Sequence, residues 1–191
     1  FEHCNFLHSR IDIKSSNSHK VFFNKSIWSA MDRINSTFDI IQAINMQEIA
    51  FKHCRLQHIF NQNKAIIDLK NVKYVIIENS MIKTISGMLI SVQNSLKLEI
   101  KHTTCLLNTN NFLSNSIQSK DRHFIGVVHL KTLLIGHSYF DKIYDSVISL
   151  KEVLTAEIQD SKFSNCRSLY GVLFVTLDDI QQSFHLFVHN S

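Results

Sequence analysis

The chain has 191 residues, of which 45% are hydrophobic and 19% charged, and its formal net charge is +4. This is enough apolar content for one domain or a run of solenoid, and it excludes a disordered polar tract. With no Pro and only 4 Gly, collagen, Pro-rich linkers and Gly-rich phosphate loops are excluded as well.

No run of about 18 apolar residues occurs, so no direct membrane insertion is expected within this segment. The 20 Lys and Arg residues are scattered, without a block of five like charges. Nucleic-acid proteins concentrate such residues on one face, so no nucleic-acid partner is expected. Four cysteines stand at 4, 54, 105 and 166 without a C-x-x-C pair, which removes the usual zinc and dithiol spacings. The chain starts at Phe1 and has no stretch with a basic start and an apolar centre. It reads as an internal piece of a longer protein.

In chain order, one pattern recurs: an apolar residue, any residue, then His, Asn or Asp, then a small residue. The first copy is Phe1-Glu2-His3-Cys4-Asn5-Phe6. Residues 7–36 fit poorly and are expected to form irregular or degenerate first coils. From 37 onward the copies are clear. They are Phe51-Lys52-His53-Cys54, Ile77-Glu78-Asn79-Ser80, Ile100-Lys101-His102-Thr103, Ile135-Gly136-His137-Ser138 and Ile158-Gln159-Asp160-Ser161. Val188-His189-Asn190-Ser191 closes the chain. The anchors 3, 53, 79, 102, 137, 160 and 190 are separated by 50, 26, 23, 35, 23 and 30 residues. The first gap fits two units, one of them degenerate. Blocks starting at Ala65, Met88 and Ser146 hold one offset upstream of their anchors, as do those starting at Asp39 and His123.

Within a unit the period is mostly two. Ile67 and Leu69, then Val75 and Ile77, alternate with Asp68, Lys70, Ile76 and Glu78, and Ile90, Val92, Leu96, Leu98 and Ile100 do the same with their neighbours, which predicts strands with these residues inward. Asn71, Asn94 and Glu152 share one position, expected to be a turn between two strands. Ser36–Phe51 also has helical spacing through Phe38, Ile41, Ile44 and Glu48, but its register with the later units predicts strand. A unit of this size cannot bury its apolar face alone, whereas stacked units bury Ile, Val and Leu in columns. The expected fold is all-β: a right-handed parallel β-helix solenoid of about six or seven coils, with 1–191 a single segment. The 35-residue gap carries a polar insertion within 107–122, expected as a loop that, with the long strand faces, does the contacting. A leucine-rich repeat is the competitor. It wants two residues between its last Leu and the Asn, and here one residue separates Ile77 from Asn79.

The repeats resemble the right-handed parallel β-helix, or pectin-lyase-like, superfamily. They resemble in particular the repeat regions of uncharacterised surface proteins of single-celled eukaryotes. Ser161-Lys162-Phe163-Ser164-Asn165, followed by Gly171-Val172-Leu173-Phe174, is similar to their F-x-N…G-x-h repeat. The resemblance covers roughly residues 37–191, with less Gly than is usual there. It implies a secreted or cell-surface location. It also implies that hydrolases of the superfamily would show Asn-Thr-Asp, Gly-Asp-Asp, Gly-His-Gly and Arg-x-Lys, none of which is present.

Chemical candidates are few. Asp178-Asp179 is the adjacent carboxylate pair, and paired carboxylates can act on a glycosidic bond, but a solvated turn is the expected role. The anchors His53, Asn79, His102, His137 and Asp160 are expected to stack as a turn ladder of hydrogen-bonding side chains. Coils about 4.8 Å apart would spread three ligands too far for one zinc-like ion, so no metal is assigned. Protonation of stacked imidazoles is expected to loosen the coil below about pH 6. Cys4 and Cys54 fall in one column about two coils apart, too far to bond, so free and mostly buried thiols are expected. Free thiols favour a reducing compartment, against the surface analogy. Sequons at Asn24-Lys25-Ser26 and Asn35-Ser36-Thr37 are no more than chance supplies. The aromatic residues are expected in the core.

The functional expectation is a non-catalytic structural or recognition segment of a larger surface protein, with a glycan or protein partner and no cofactor. The alternatives are a polysaccharide lyase or hydrolase whose catalytic coils lie elsewhere, and a leucine-rich interaction domain. A solenoid cut within a repeat exposes strand edges, so poor solubility of 1–191 alone is expected.

Overall fold

In the computed structural model, residues 1–7, 10–15, 19–32, 40–60, 64–108, 123–143, 146–166, 172–176 and 184–190 are described. They form sixteen strands in two parallel sheets, and no helix occurs among them. In chain order these are β1 (Asn5–Leu7), β2 (Ile11–Lys14), β3 (Lys20–Asn24), β4 (Ile27–Asp32), β5 (Ile41–Lys52), β6 (Arg55–Phe60), β7 (Ile67–Glu78) and β8 (Met81–Ser86). Then follow β9 (Ile90–Lys101), β10 (Thr104–Asn108), β11 (His123–Gly136), β12 (Tyr139–Ile143), β13 (Ser146–Gln159), β14 (Lys162–Ser164), β15 (Leu173–Thr176) and β16 (His185–His189).

The short strands stack as β1-β4-β6-β8-β10-β12-β14 and the long ones as β15-β13-β11-β9-β7-β5-β2, with β3 also on β5 and β16 also on β13. Each strand pairs with the equivalent strand one repeat away, so the protein is a parallel β-solenoid of about five turns. The all-β parallel solenoid expected from the repeats is thus what the chain forms, its six or seven coils comprising about five full turns and partial flanking ones. Five long strands, β5, β7, β9, β11 and β13, define the full turns, while the flanking coils are split into β2 with β3 and β15 with β16. From Ile41 onward the helix-compatible stretch is strand β5, and the helix-bearing leucine-rich unit is not what these repeats build.

The core follows from repetition. Ile11, Ile41, Ile67, Ile90, Ile125, Ile148 and Leu173 stand in one hydrogen-bonded register column. Five of them, from Ile41 to Ile148, are at most 1% exposed. β-Branched side chains at one pleat position interlock on every coil, and each fully buried one is worth about 1.5–3 kcal/mol of transfer free energy. The first coils are filled differently. Phe1, Phe6, Phe23, Trp28 and Phe51 form a continuous stack, with Phe23 and Phe51 5.1 Å apart and near parallel, and Phe6 and Trp28 4.8 Å apart. Phe23, Trp28, Phe51, Phe124 and Phe140 are core residues, but Phe1, Phe22 and Phe187 are 44–61% exposed.

Two sequence expectations fail locally, for one reason. Asn71, Asn94 and Glu152 do not separate two strands; β7, β9 and β13 run through them. Each has a left-handed backbone (φ 55°, 54° and 53°), which bends the strand and resets its inward–outward phase. Ser95 is consequently buried, and Leu96, expected inward, is 43% exposed.

Candidate functional site: corner ladders and two unlike faces

The anchors mark a corner of the coil. His53, Asn79, His102, His137 and Asp160 all have left-handed backbone, with φ between 46° and 54°. A polypeptide turning sharply from a long to a short strand needs one such residue, and Asn, Asp and His tolerate it best. Their amides continue the inter-coil ladder: His53 N donates to Glu78 O, Asn79 N to Lys101 O, His102 N to Gly136 O, His137 N to Gln159 O and Asp160 N to His189 O, at 2.9–3.1 Å. His3 and Asn190 extend the column, and Lys25 (φ 51°), which the repeat pattern missed, supplies the coil absent from the 50-residue gap. Lysine has no chemical kinship with His or Asn, so only the backbone reveals it.

On this edge the His102 and His137 rings stack at 4.9 Å between centroids, 3° from parallel. His137 Nδ1 lies 3.7 Å from Asp160 Oδ2. The three side chains are thus neighbours on successive coils. Ring-nitrogen lone pairs lie in the ring planes, and parallel planes do not converge on one ion. Among the described residues no group of three His, Cys, Asp or Glu is placed to hold a metal.

Behind the corner runs a second ladder. Each residue after an anchor is Cys, Ser or Thr, and from Cys54 to Ser161 its side chain points inward. Ser80 Oγ accepts from Cys54 N at 3.1 Å, Ser138 Oγ from Thr103 N at 3.2 Å and Ser161 Oγ from Ser138 N at 3.1 Å. The same hydroxyls donate to the carbonyl two residues back, as Ser138 Oγ does to Gly136 O at 2.9 Å. Ser80, Thr103, Ser138 and Ser161 are at most 4% exposed. The small residue of the repeat is therefore a buried donor–acceptor that satisfies backbone the corner would orphan. The sequence carried the signal, since only Ser, Thr and Cys occupy the position.

Two further corners complete the coil. Asn45, Asn71, Asn94, His129 and Glu152 form one, with φ 53–59°. Asn71 Nδ2 donates to Asn45 Oδ1 at 2.9 Å, Asn94 Nδ2 to Asn71 Oδ1 at 3.2 Å, and His129 Nδ1 meets Glu152 Oε2 at 2.7 Å. His58, Thr84, Lys142 and Asn165 form the other, with φ 53–57°.

The outward faces differ. The long-strand face carries ion pairs, Lys20–Glu48 and Lys52–Glu78 across coils, both at 3.0 Å, and Lys97–Glu99 at 3.0 Å with Lys101 also on Glu99, while its Lys73 and Lys131 are exposed and make no ion pair among the described residues. Burial pushes the Glu99 carboxyl up, but the hydrogen bonds from Lys101 and Lys97 outweigh it and hold the group below its ordinary range. Lys101 is raised, mainly by its bond to Glu99. The short-strand face carries exposed Arg55, Lys83, Lys142 and Lys162. None of the four makes an ion pair among the described residues, and Asp141 instead accepts from Asn165 Nδ2 at 2.8 Å. Lys162 Nζ sits 5.9 Å from the Tyr139 ring centroid.

All four cysteines are free; Cys54 and Cys105 are buried, and Cys4 and Cys166 half-buried. Desolvation raises the Cys54, Cys105 and Cys166 thiols, with Cys105 raised furthest. Asn24 of the first sequon donates to Glu2 Oε1 at 3.0 Å, and Ser26 is fully buried. Asp178-Asp179, the sequon at Asn35-Ser36-Thr37 and 109–122 of the insertion lie outside the described residues. Comparison with protein-family models, curated proteins and solved structures finds no match to this chain.

Proposed function

We propose that the chain is a non-catalytic recognition and spacer segment, of the right-handed parallel β-helix (pectin-lyase-like) kind, within a larger secreted or membrane-anchored surface protein. The observation that carries this reading is the division of charge between the faces. Glu48, Glu78 and Glu99 of the long-strand face are each tied to lysine. Acid–base work on a glycosidic bond wants a carboxyl pair flanking the substrate, and carboxylates spent on lysines are poor candidates. The short-strand face instead displays unpaired cations on a rigid frame, which suits binding. The partner is a glycan or a protein.

The test is a binding screen of the folded chain against immobilised glycans and surface-protein extracts, run beside incubation with polyuronate and neutral polysaccharides. Saturable binding without cleavage supports the reading. Release of unsaturated or reducing ends puts the lyase or hydrolase reading in its place.

A further inference from the structure

We infer that the short-strand face docks an extended acidic protein segment, laid along the solenoid axis with its carboxylates at both ends and apolar side chains between. The inference rests on the recognition reading above and names the partner's chemistry.

Arg55, Met81, Thr104, Tyr139 and Lys162 are register partners on five successive short strands. All point outward, since the next residues, Leu56, Ile82, Cys105 and Phe140, are buried. The column therefore reads cation, apolar, small polar, aromatic, cation. Met81 is 39% exposed, a large apolar side chain offered to solvent in the middle of the strip. At about 4.8 Å per coil, Arg55 and Lys162 stand roughly 19 Å apart, the length of about six extended residues. Lys83 and Lys142 flank the strip from the neighbouring positions.

The partner's chemistry follows from complementarity. Cations without carboxylate partners favour an anion. Met81 and Tyr139 between them favour apolar contact, which a segment with Leu or Phe supplies and a phosphate backbone does not. Duplex nucleic acid is also disfavoured by number, because such binders typically neutralise about six to ten phosphates, and this strip offers four cations.

The test uses the full chain and fluorescence anisotropy. The probe is a labelled peptide with two Glu at each end and Leu, Thr and Phe between, beside a counterpart with Gln for every Glu. Binding of the acidic peptide about tenfold tighter than the Gln peptide is expected, as is a loss of about tenfold or more in the double variant Arg55→Glu/Lys162→Glu. Met81→Ser is expected to weaken it about threefold. Lys20→Glu on the opposite face should leave it unchanged. Circular dichroism and Tm check that each variant is folded, and all four positions are exposed. No binding of the acidic peptide, equal binding by the double variant, or tighter binding of dextran sulfate or duplex DNA each overturns the inference. Dextran sulfate binding that the double variant loses sinks the acidic-segment inference while leaving the recognition reading intact. Cleavage of a polysaccharide sinks that reading instead.

Discussion

The long-strand and short-strand faces are built on the same coils and the same core, yet they handle charge in opposite ways. On the long strands, outward positions at every second residue bring lysine and glutamate together within a strand and across coils, and most of the glutamates close on lysines, although Lys73 and Lys131 stay exposed. On the short strands, only a few outward positions fit between two corners. Arg55, Lys83 and Lys162 fill them with no carboxylate opposite. The lesson is that strand length governs self-satisfaction. A long face has enough neighbouring positions to neutralise part of its charge, and a short face leaves its charge for something else.

The sharpest tests ask whether the two faces share one cooperative core. Ile90→Ala removes one member of the Ile column and should cost about 2–5 kcal/mol in urea unfolding. Both faces should melt together; separate transitions followed by Trp28 fluorescence and by far-UV circular dichroism would break the picture of one stack. Ser138→Ala leaves the Thr103 amide without its partner and removes one of the two donors to the Gly136 carbonyl, and should cost about 1–3 kcal/mol. Ser138→Cys should restore part of it, because Cys54 occupies the equivalent place and its Sγ reaches Lys52 O at 3.3 Å. Equal losses in both variants would mean the ladder is only packing. Asn94→Val puts a β-branched residue at φ 54° and should lose about 1–2 kcal/mol. Asn94→Gly should lose less than the valine variant, since glycine fits the backbone and forfeits only the amide ladder.

The smaller effects separate the faces themselves. Glu99 is held below the ordinary carboxyl range. Its contribution is therefore complete above that range and disappears as pH falls through its lowered folded value. Lys101 has the opposite sign, its contribution being lost as pH rises through its raised value. Glu99→Gln should lower Tm slightly at neutral pH and reduce the drop in Tm below about pH 4. An unchanged acid limb would remove Glu99 from the account. The double variant Arg55→Glu/Lys162→Glu, by contrast, breaks no pair and should change stability by no more than about 0.5 kcal/mol. A much larger loss would show that the short face is structural and not free for a partner.

Much of this was legible in the chain. His53, Asn79, His102, His137 and Asp160 announced a corner because few residue types accept left-handed backbone. The upstream blocks announced the Ile column because stacking demands one shape at one position. Lys25 was invisible, having the backbone of a corner without its usual chemistry. Leu96 was assigned inward because alternation was carried straight through Asn94, whose bend resets the phase. The four short-face cations were visible as letters, but each lies about 20 to 60 residues from the next in the chain and only register makes them neighbours.

The sequence by itself determined that the protein is a parallel stack of β-coils, because repeat period, apolar alternation and corner residues are local properties that each unit repeats. Only the tertiary structure decided which side chains meet. Partners across coils are set by register between residues some 20 to 35 positions apart, and a single left-handed residue shifts the inward–outward phase of its immediate neighbours, as at Ser95 and Leu96, before Leu98 and Ile100 resume it. That is why the stack could be read along the chain, while the ion-paired face and the open one appeared only when the coils were laid on each other.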